Sequence, residues 1–113
     1  MLFAACTGHR TLLDSPVPLA VRMAESEIAR NPWAVSHDGI SPGKIKWNYT
    51  TGLELLAMMD AADAYDRPDF YEYARRYYDT IVRPDASVIT YKKEKYNLDH
   101  ICTGRPLFIL AER

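Results

Sequence analysis

Between Thr50 and Tyr65 the chain carries apolar residues on more than one face of a single helix, and this constrains its fold more than any other feature. Leu53, Leu56, Ala57, Ala61 and Ala64 form one stripe, and Leu55, Met58, Met59 and Ala62 form another. Such a helix withdraws its apolar surface from water only when it is covered on two sides. The next segment has the opposite character. Asp66-Arg67-Pro68-Asp69 reads as a tight turn with Pro near the first position of the following helix. Phe70, Tyr73, Ala74, Tyr77, Tyr78 and Ile81 then mark a single face, with Glu72, Arg75, Arg76 and Asp79 off it. A helix apolar all round beside a helix apolar on one face is what a two-layer helical barrel needs, with the inner ring covered by the outer.

The flanking segments fit an all-α chain. Val17, Val21, Ala24 and Ile28 recur at helical spacing after Ser15-Pro16, and Asn31-Pro32 stops the run. Residues 33 to 46 are rich in Pro, Gly, Ser and Asp without a sustained period, so they read as a loop that delivers Trp47. Arg83-Pro84-Asp85 closes the single-faced helix. Residues 87–91, Ser-Val-Ile-Thr-Tyr, have the β-branched and aromatic content of a short strand or extended arm. A solvated charge run, Lys92 to Lys95, follows, and Leu107-Phe108-Ile109-Leu110-Ala111 opens a further helix. A helical repeat array would show a similar alternation, but there is no self-similarity at repeat spacing and the loops differ in length and type.

Composition narrows the partners. With 48% hydrophobic and 26% charged residues the 113-residue chain can bury a core. A net charge of -1 lacks the basic footprint of a nucleic-acid binder. No stretch approaches the length of a membrane span. Met1-Leu2-Phe3-Ala4-Ala5-Cys6 resembles the end of a bacterial lipoprotein signal, without a basic region or full apolar region before it. Residues 1–14 therefore read as a signal remnant or a disordered terminus, and 15–113 as the domain. Either Cys6 is a lipid anchor and the protein is periplasmic, or it is a thiol near a frayed end in a cytoplasmic chain. Cys102 reads as a free thiol. His9 and His37 have no partner at metal spacing, so neither a metal site nor a cofactor is expected. Asn48-Tyr49-Thr50 fits a glycosylation pattern that carries no meaning in a bacterial setting.

Two segments carry a resemblance. Lys46-Trp47-Asn48-Tyr49-Thr50-Thr51-Gly52 and Tyr96-Asn97-Leu98-Asp99-His100-Ile101-Cys102-Thr103-Gly104-Arg105 lie about fifty positions apart. Together they resemble the N-terminal part of the unsaturated rhamnogalacturonyl hydrolases, glycoside hydrolase family 105, and of the related family 88. The resemblance runs from about Val17 to Arg113. It implies part of an (α/α)6 barrel, a six-hairpin glycosidase domain, with the active site at one mouth and roughly the first third of the barrel present. It also implies a reaction: hydration of the C4=C5 double bond of an unsaturated galacturonyl residue in pectin-derived oligosaccharides, with release of rhamnose. An acid protonates C4, water adds at C5, and the hemiketal opens. This is acid/base chemistry on an enol ether, so carboxylate spacing does not report its stereochemistry.

By the same resemblance the principal acid/base Asp belongs to a downstream Trp-Leu-Asp-Gly-type segment that this sequence lacks, so the isolated chain is expected to be inactive. The carboxylate of Asn97-Leu98-Asp99 points into the pocket as an auxiliary catalytic group, and Tyr49 of the Trp-x-Tyr-x-x-Gly pattern binds the sugar. Asp99 alternatively reads as an N-cap for the last helix or a loop acceptor. Trp47 reads as a sugar-stacking face or a core plug. His100 reads as a pocket donor or a structural histidine. Arg105 reads as a bidentate partner for a uronate carboxylate or for helix-end carbonyls. Cys102-Thr103 replaces an Asn-Pro frequent in the family, which leaves the loop less stiff. With the barrel incomplete, the stripes of the Thr50 to Tyr65 helix favour self-association. The competing class is a small all-α interaction module that uses this helix to bind a partner.

Overall fold

The computed structural model describes residues 15–35 and 45–113. Cys6, His9 and His37, with the expectations placed on them, lie outside the described residues. Five helices follow one another: α1 (Leu19–Arg30), α2 (Tyr49–Tyr65), α3 (Pro68–Ile81), the short α4 (Asp99–Cys102) and α5 (Arg105–Glu112). A 3₁₀ turn at Lys93–Lys95 precedes α4. The described residues are helical without a strand, compatible with a piece of an α/α-barrel glycoside hydrolase.

Local chemistry sets the boundaries. Asn48 caps α2: its side-chain oxygen accepts the Thr50 N–H at 2.9 Å, satisfying one of the donors a helix start leaves unpaired. Asp66 ends α2 in the left-handed region at φ 51°, and Pro68 opens α3 directly, so the two helices turn back on one another. Arg67, between them, grips Asp69 with two hydrogen bonds of 2.9 and 2.7 Å. It also reaches Glu25 of α1 at 2.6 Å and lies 4.1 Å over the Phe70 ring. This contact holds the Asp69 carboxyl below its usual range and joins α1 to the α2–α3 turn.

The single face of α3 is buried in full: Phe70, Tyr73, Ala74, Tyr77, Tyr78 and Ile81 pack onto α2. Of the two stripes on α2, that of Leu55, Met58, Met59 and Ala62 is buried. The other stays largely open at Leu53, Ala57 and Ala64, although Ala61 is covered. Three tyrosines of α3 also carry their hydroxyls to main-chain carbonyls of distant segments. Tyr73 donates to Asn31 at 2.6 Å, Tyr77 to Lys46 at 2.6 Å and Tyr78 to Thr103 at 2.8 Å. Burial raises all three phenols above their usual range, so they act as neutral donors.

The extended arm expected over residues 87–91 does not form. Asp85 accepts the Ser87 N–H and hydroxyl at 2.9 and 2.6 Å, folding the chain back on itself. Ala86 and Thr90 both take positive φ, at 64° and 66°. What remains of pairing is one antiparallel bridge, Val82 to Val88, with Ile89 N–H donating to Ile81 at 2.9 Å. The β-forming side chains serve as packing against the end of α3, where Val88 and Ile89 join the core. α5 begins at Arg105, two residues before the apolar run, with Pro106 in its first turn.

Candidate active-site segments at the start of α2

Trp47 organises the site and is buried, with 5% of its surface exposed. Its indole N–H donates to the His100 carbonyl at 2.6 Å, and its backbone N–H donates to Thr90 Oγ1 at 2.9 Å. The ring meets Tyr78 and Tyr91 edge-on, at centroid distances of 6.2 and 6.4 Å. Of its two readings from sequence, the core plug is the one the packing supports: a ring so enclosed has no face for a sugar.

Two contacts, one from α2 and one from α3, then fix the 97–104 segment. Gly52 lies so close to Thr103 that a Cβ there would sit 2.5 Å from Thr103 Cα. Only glycine allows that approach. Tyr78 holds the Thr103 carbonyl from the other side, and Thr103 itself is fully buried. The leading segments of α2 and α4 therefore meet at the end of α2 that carries Tyr49.

The remaining candidates lie around this junction. Tyr49, the first residue of α2, is 44% exposed. Asp99 is the first residue of α4 and exposed. Its backbone N–H donates to Asn97 Oδ1 at 3.0 Å, and its carboxylate makes no ion pair with another described residue. It does not cap the last helix, because α5 starts six residues later behind Gly104. His100 is half-buried, edge-on to Tyr91 at 6.1 Å, and its Nδ1 is buried without a hydrogen-bond partner. Arg105 is exposed at the start of α5, with no carboxylate partner among the described residues.

The structure therefore brings Trp47, His100 and, through the chain, Asp99 to one place, with Tyr49 two residues from Trp47. Thr90, Tyr91, Tyr78 and Thr103, which hold them there, carry no signal of this role in the sequence, where Tyr78 reads as core, Thr90 and Tyr91 as an extended arm and Thr103 as a loop residue. Gly52 was the available signal, as a glycine inside a helix otherwise built of good helix formers. Among the described residues no three His, Cys, Asp or Glu side chains converge as metal ligands would. No helix among them is long and apolar enough to cross a membrane. A groove of about 440 Å³ lies elsewhere, between α1 and α2, lined by Leu19, Met23, Glu27, Glu54, Ala57 and Met58 among others. It includes none of the candidate residues.

The family model of Glycosyl Hydrolase Family 88 matches residues 19–113, which takes in every described helix and both segments of the junction. The chain belongs to glycosyl hydrolase family 88. No curated protein and no solved structure matches it. Membership of family 88 makes the chain a glycoside hydrolase of the unsaturated uronyl type.

Proposed function

We propose that this family 88 chain supplies the Asp99 wall of a pocket that hydrates the C4=C5 double bond of unsaturated galacturonyl residues in rhamnogalacturonan oligosaccharides, releasing rhamnose. The observation that carries the reading is the indole bond from Trp47 to the His100 carbonyl. It ties the backbone beside Asp99 to the entrance of α2, where Tyr49 stands open to solvent. A carboxylate held there, with no ion pair to another described residue, is suited to accept a hydrogen bond from the water that adds at C5. As a neighbouring negative charge it would also raise the pKa of an acid that protonates C4. Tyr49 then binds the sugar, and Arg105 meets the uronate carboxylate. Trp47 acts by holding the segment.

The acid itself is not among these residues, so the purified chain should bind an unsaturated rhamnogalacturonan disaccharide without consuming it. Calorimetry measures the binding, and the ultraviolet absorbance of the double bond measures turnover. Arg105→Gln should weaken binding about tenfold, the worth of one charge-assisted hydrogen bond to the uronate, whereas Asp99→Asn, whose carboxylate faces the water rather than the sugar, should not weaken it. Binding indifferent to Arg105→Gln and to Tyr49→Phe would remove the pocket from this junction. Turnover abolished by Asp99→Asn would make Asp99 the acid itself. The open groove beside Leu19 and Met23 favours a second reading, an interaction module that docks a partner along α1 and α2.

A further inference from the structure

The two tryptophans have opposite fates: Trp47 is in the core, and Trp33 keeps 72% of its surface exposed. Burying an indole is among the largest apolar gains open to a side chain, so an exposed one on a well-held backbone is informative. The backbone is held on both sides. Before it, Asn31 N–H donates to the Glu27 carbonyl at 2.8 Å. The Asn31 amide donates to Glu27 Oε1 at 2.7 Å, and its carbonyl accepts the Tyr73 hydroxyl at 2.6 Å. After it, Ala34 and Val35 are buried at 5% and 4% exposure. Pro32 stiffens the one residue between. The indole is therefore displayed outward from an anchored turn.

Arg76 stands beside it. Its guanidinium lies 5.9 Å from the centre of the Trp33 ring and 5.6 Å from that of Tyr73. Arg75, the next residue back, pairs with Glu72 at 3.3 Å and Asp79 at 3.8 Å, whereas Arg76 has no carboxylate partner among the described residues. An open indole face and a guanidinium with no carboxylate partner among the described residues thus share one spot.

We propose that Trp33 and Arg76 form an exposed binding site for a carboxylate-bearing sugar residue, separate from the Asp99 segment and built from α3 and the turn after α1. The pyranose lies on the indole, and its carboxylate takes the guanidinium. The choice of a uronyl sugar rests on the reading of the substrate as a uronyl oligosaccharide. A sugar fits the surroundings better than a protein partner does. A protein hot spot needs a rim of contacts that keeps water out. Here the adjoining α3 surface is Glu72, Arg75, Asp79 and Thr80, all charged or polar and exposed.

The test uses the chain labelled with 5-fluorotryptophan, which gives two fluorine resonances assigned by Trp33→Phe. The probes are saturated trigalacturonate and the neutral trisaccharide maltotriose. Trigalacturonate should shift the Trp33 resonance saturably and leave that of Trp47 in place, maltotriose should shift neither, and Arg76→Gln should weaken the response about tenfold. Arg76 is exposed, so that variant keeps its fold. Three results would overturn the site: no shift up to about 10 mM, an equal response to maltotriose, or full response in Arg76→Gln. Broadening of the Trp33 signal with chain concentration alone would also overturn it, by marking a protein contact. Because the probe has no double bond, and Asp99→Asn leaves this site untouched, failure here is distinct from failure of the Asp99 pocket.

Discussion

Replacing Gly52 by alanine sets two effects of opposite sign against each other, and the structure decides between them. In an exposed helix interior, Gly→Ala gains about 1 kcal/mol from propensity. At Gly52 the new Cβ would sit 2.5 Å from Thr103 Cα and 3.1 Å from its N and Cβ, where ordinary contact begins at 3.4 Å. The nearest atom is main chain, so no rotamer relieves the clash. The α4–α5 segment must retreat by about 0.9 Å. That retreat strains a core contact, at about 1 to 3 kcal/mol. It also stretches the 2.8 Å bond from Tyr78 to the Thr103 carbonyl, worth about 1 kcal/mol more. The net expectation is a loss of about 2 kcal/mol, on the order of a 10 °C fall in Tm for a chain of this size. Circular dichroism melts of Gly52→Ala and of the reverse exchange at exposed Ala57 in the same helix provide the test. Propensity alone predicts opposite signs, whereas the contact predicts that both variants lose stability. A Gly52→Ala chain as stable as the parent, or more so, would refute the close-approach argument.

Three further outcomes follow from the packing. Tyr73, Tyr77 and Tyr78 have phenols raised by burial, so their stabilisation is complete below the unfolded value near pH 10 and is lost as pH rises. Urea titrations between about pH 9 and 11 should lose up to about 4 kcal/mol per pH unit above 10, and a flat profile would mean that these phenols ionise in the folded state. Tyr78→Phe leaves the Thr103 carbonyl without its donor and should cost about 1 to 2 kcal/mol in a urea melt, with helix content unchanged in water. The open stripe at Leu53 and Ala57 predicts association in sedimentation runs that Leu53→Lys reduces; a monomer at all concentrations would count against it.

How far the sequence reaches differs from helix to helix. All six residues assigned to the core face of α3 are buried, because six apolar positions at helical spacing leave one orientation that removes them from water. On α2 the same reasoning finds two stripes but cannot rank them, since which one is covered depends on neighbours distant in sequence. Residues 87–91 show a local signal overruled: β-branched content favours extension, but Asp85 captures the Ser87 N–H first and the chain turns. The readings of Trp47 stayed open because a tryptophan before a helix looks the same in sequence whether it faces sugar or core. The partners of the α3 tyrosines were illegible for a different reason. They are carbonyls, which every residue carries.

That last fact has a consequence for how such a protein can change. A hydroxyl that grips a carbonyl is blind to the side chain hanging from the same residue. The segments at Asn31, Lys46 and Thr103 are therefore located by a helix that imposes little on their chemistry. Exposed Lys46 can be exchanged without moving the chain that leads to Trp47 and Tyr49. At the Asp99 junction placement and recognition are written in different parts of the polypeptide: descendants can retune what that mouth accepts by editing loop side chains while the tyrosines of α3 keep the loops in register. The converse also holds, and a change at Tyr78 of α3, which is not itself one of the candidate catalytic or sugar-binding residues, would be felt at that mouth as if it had been made there.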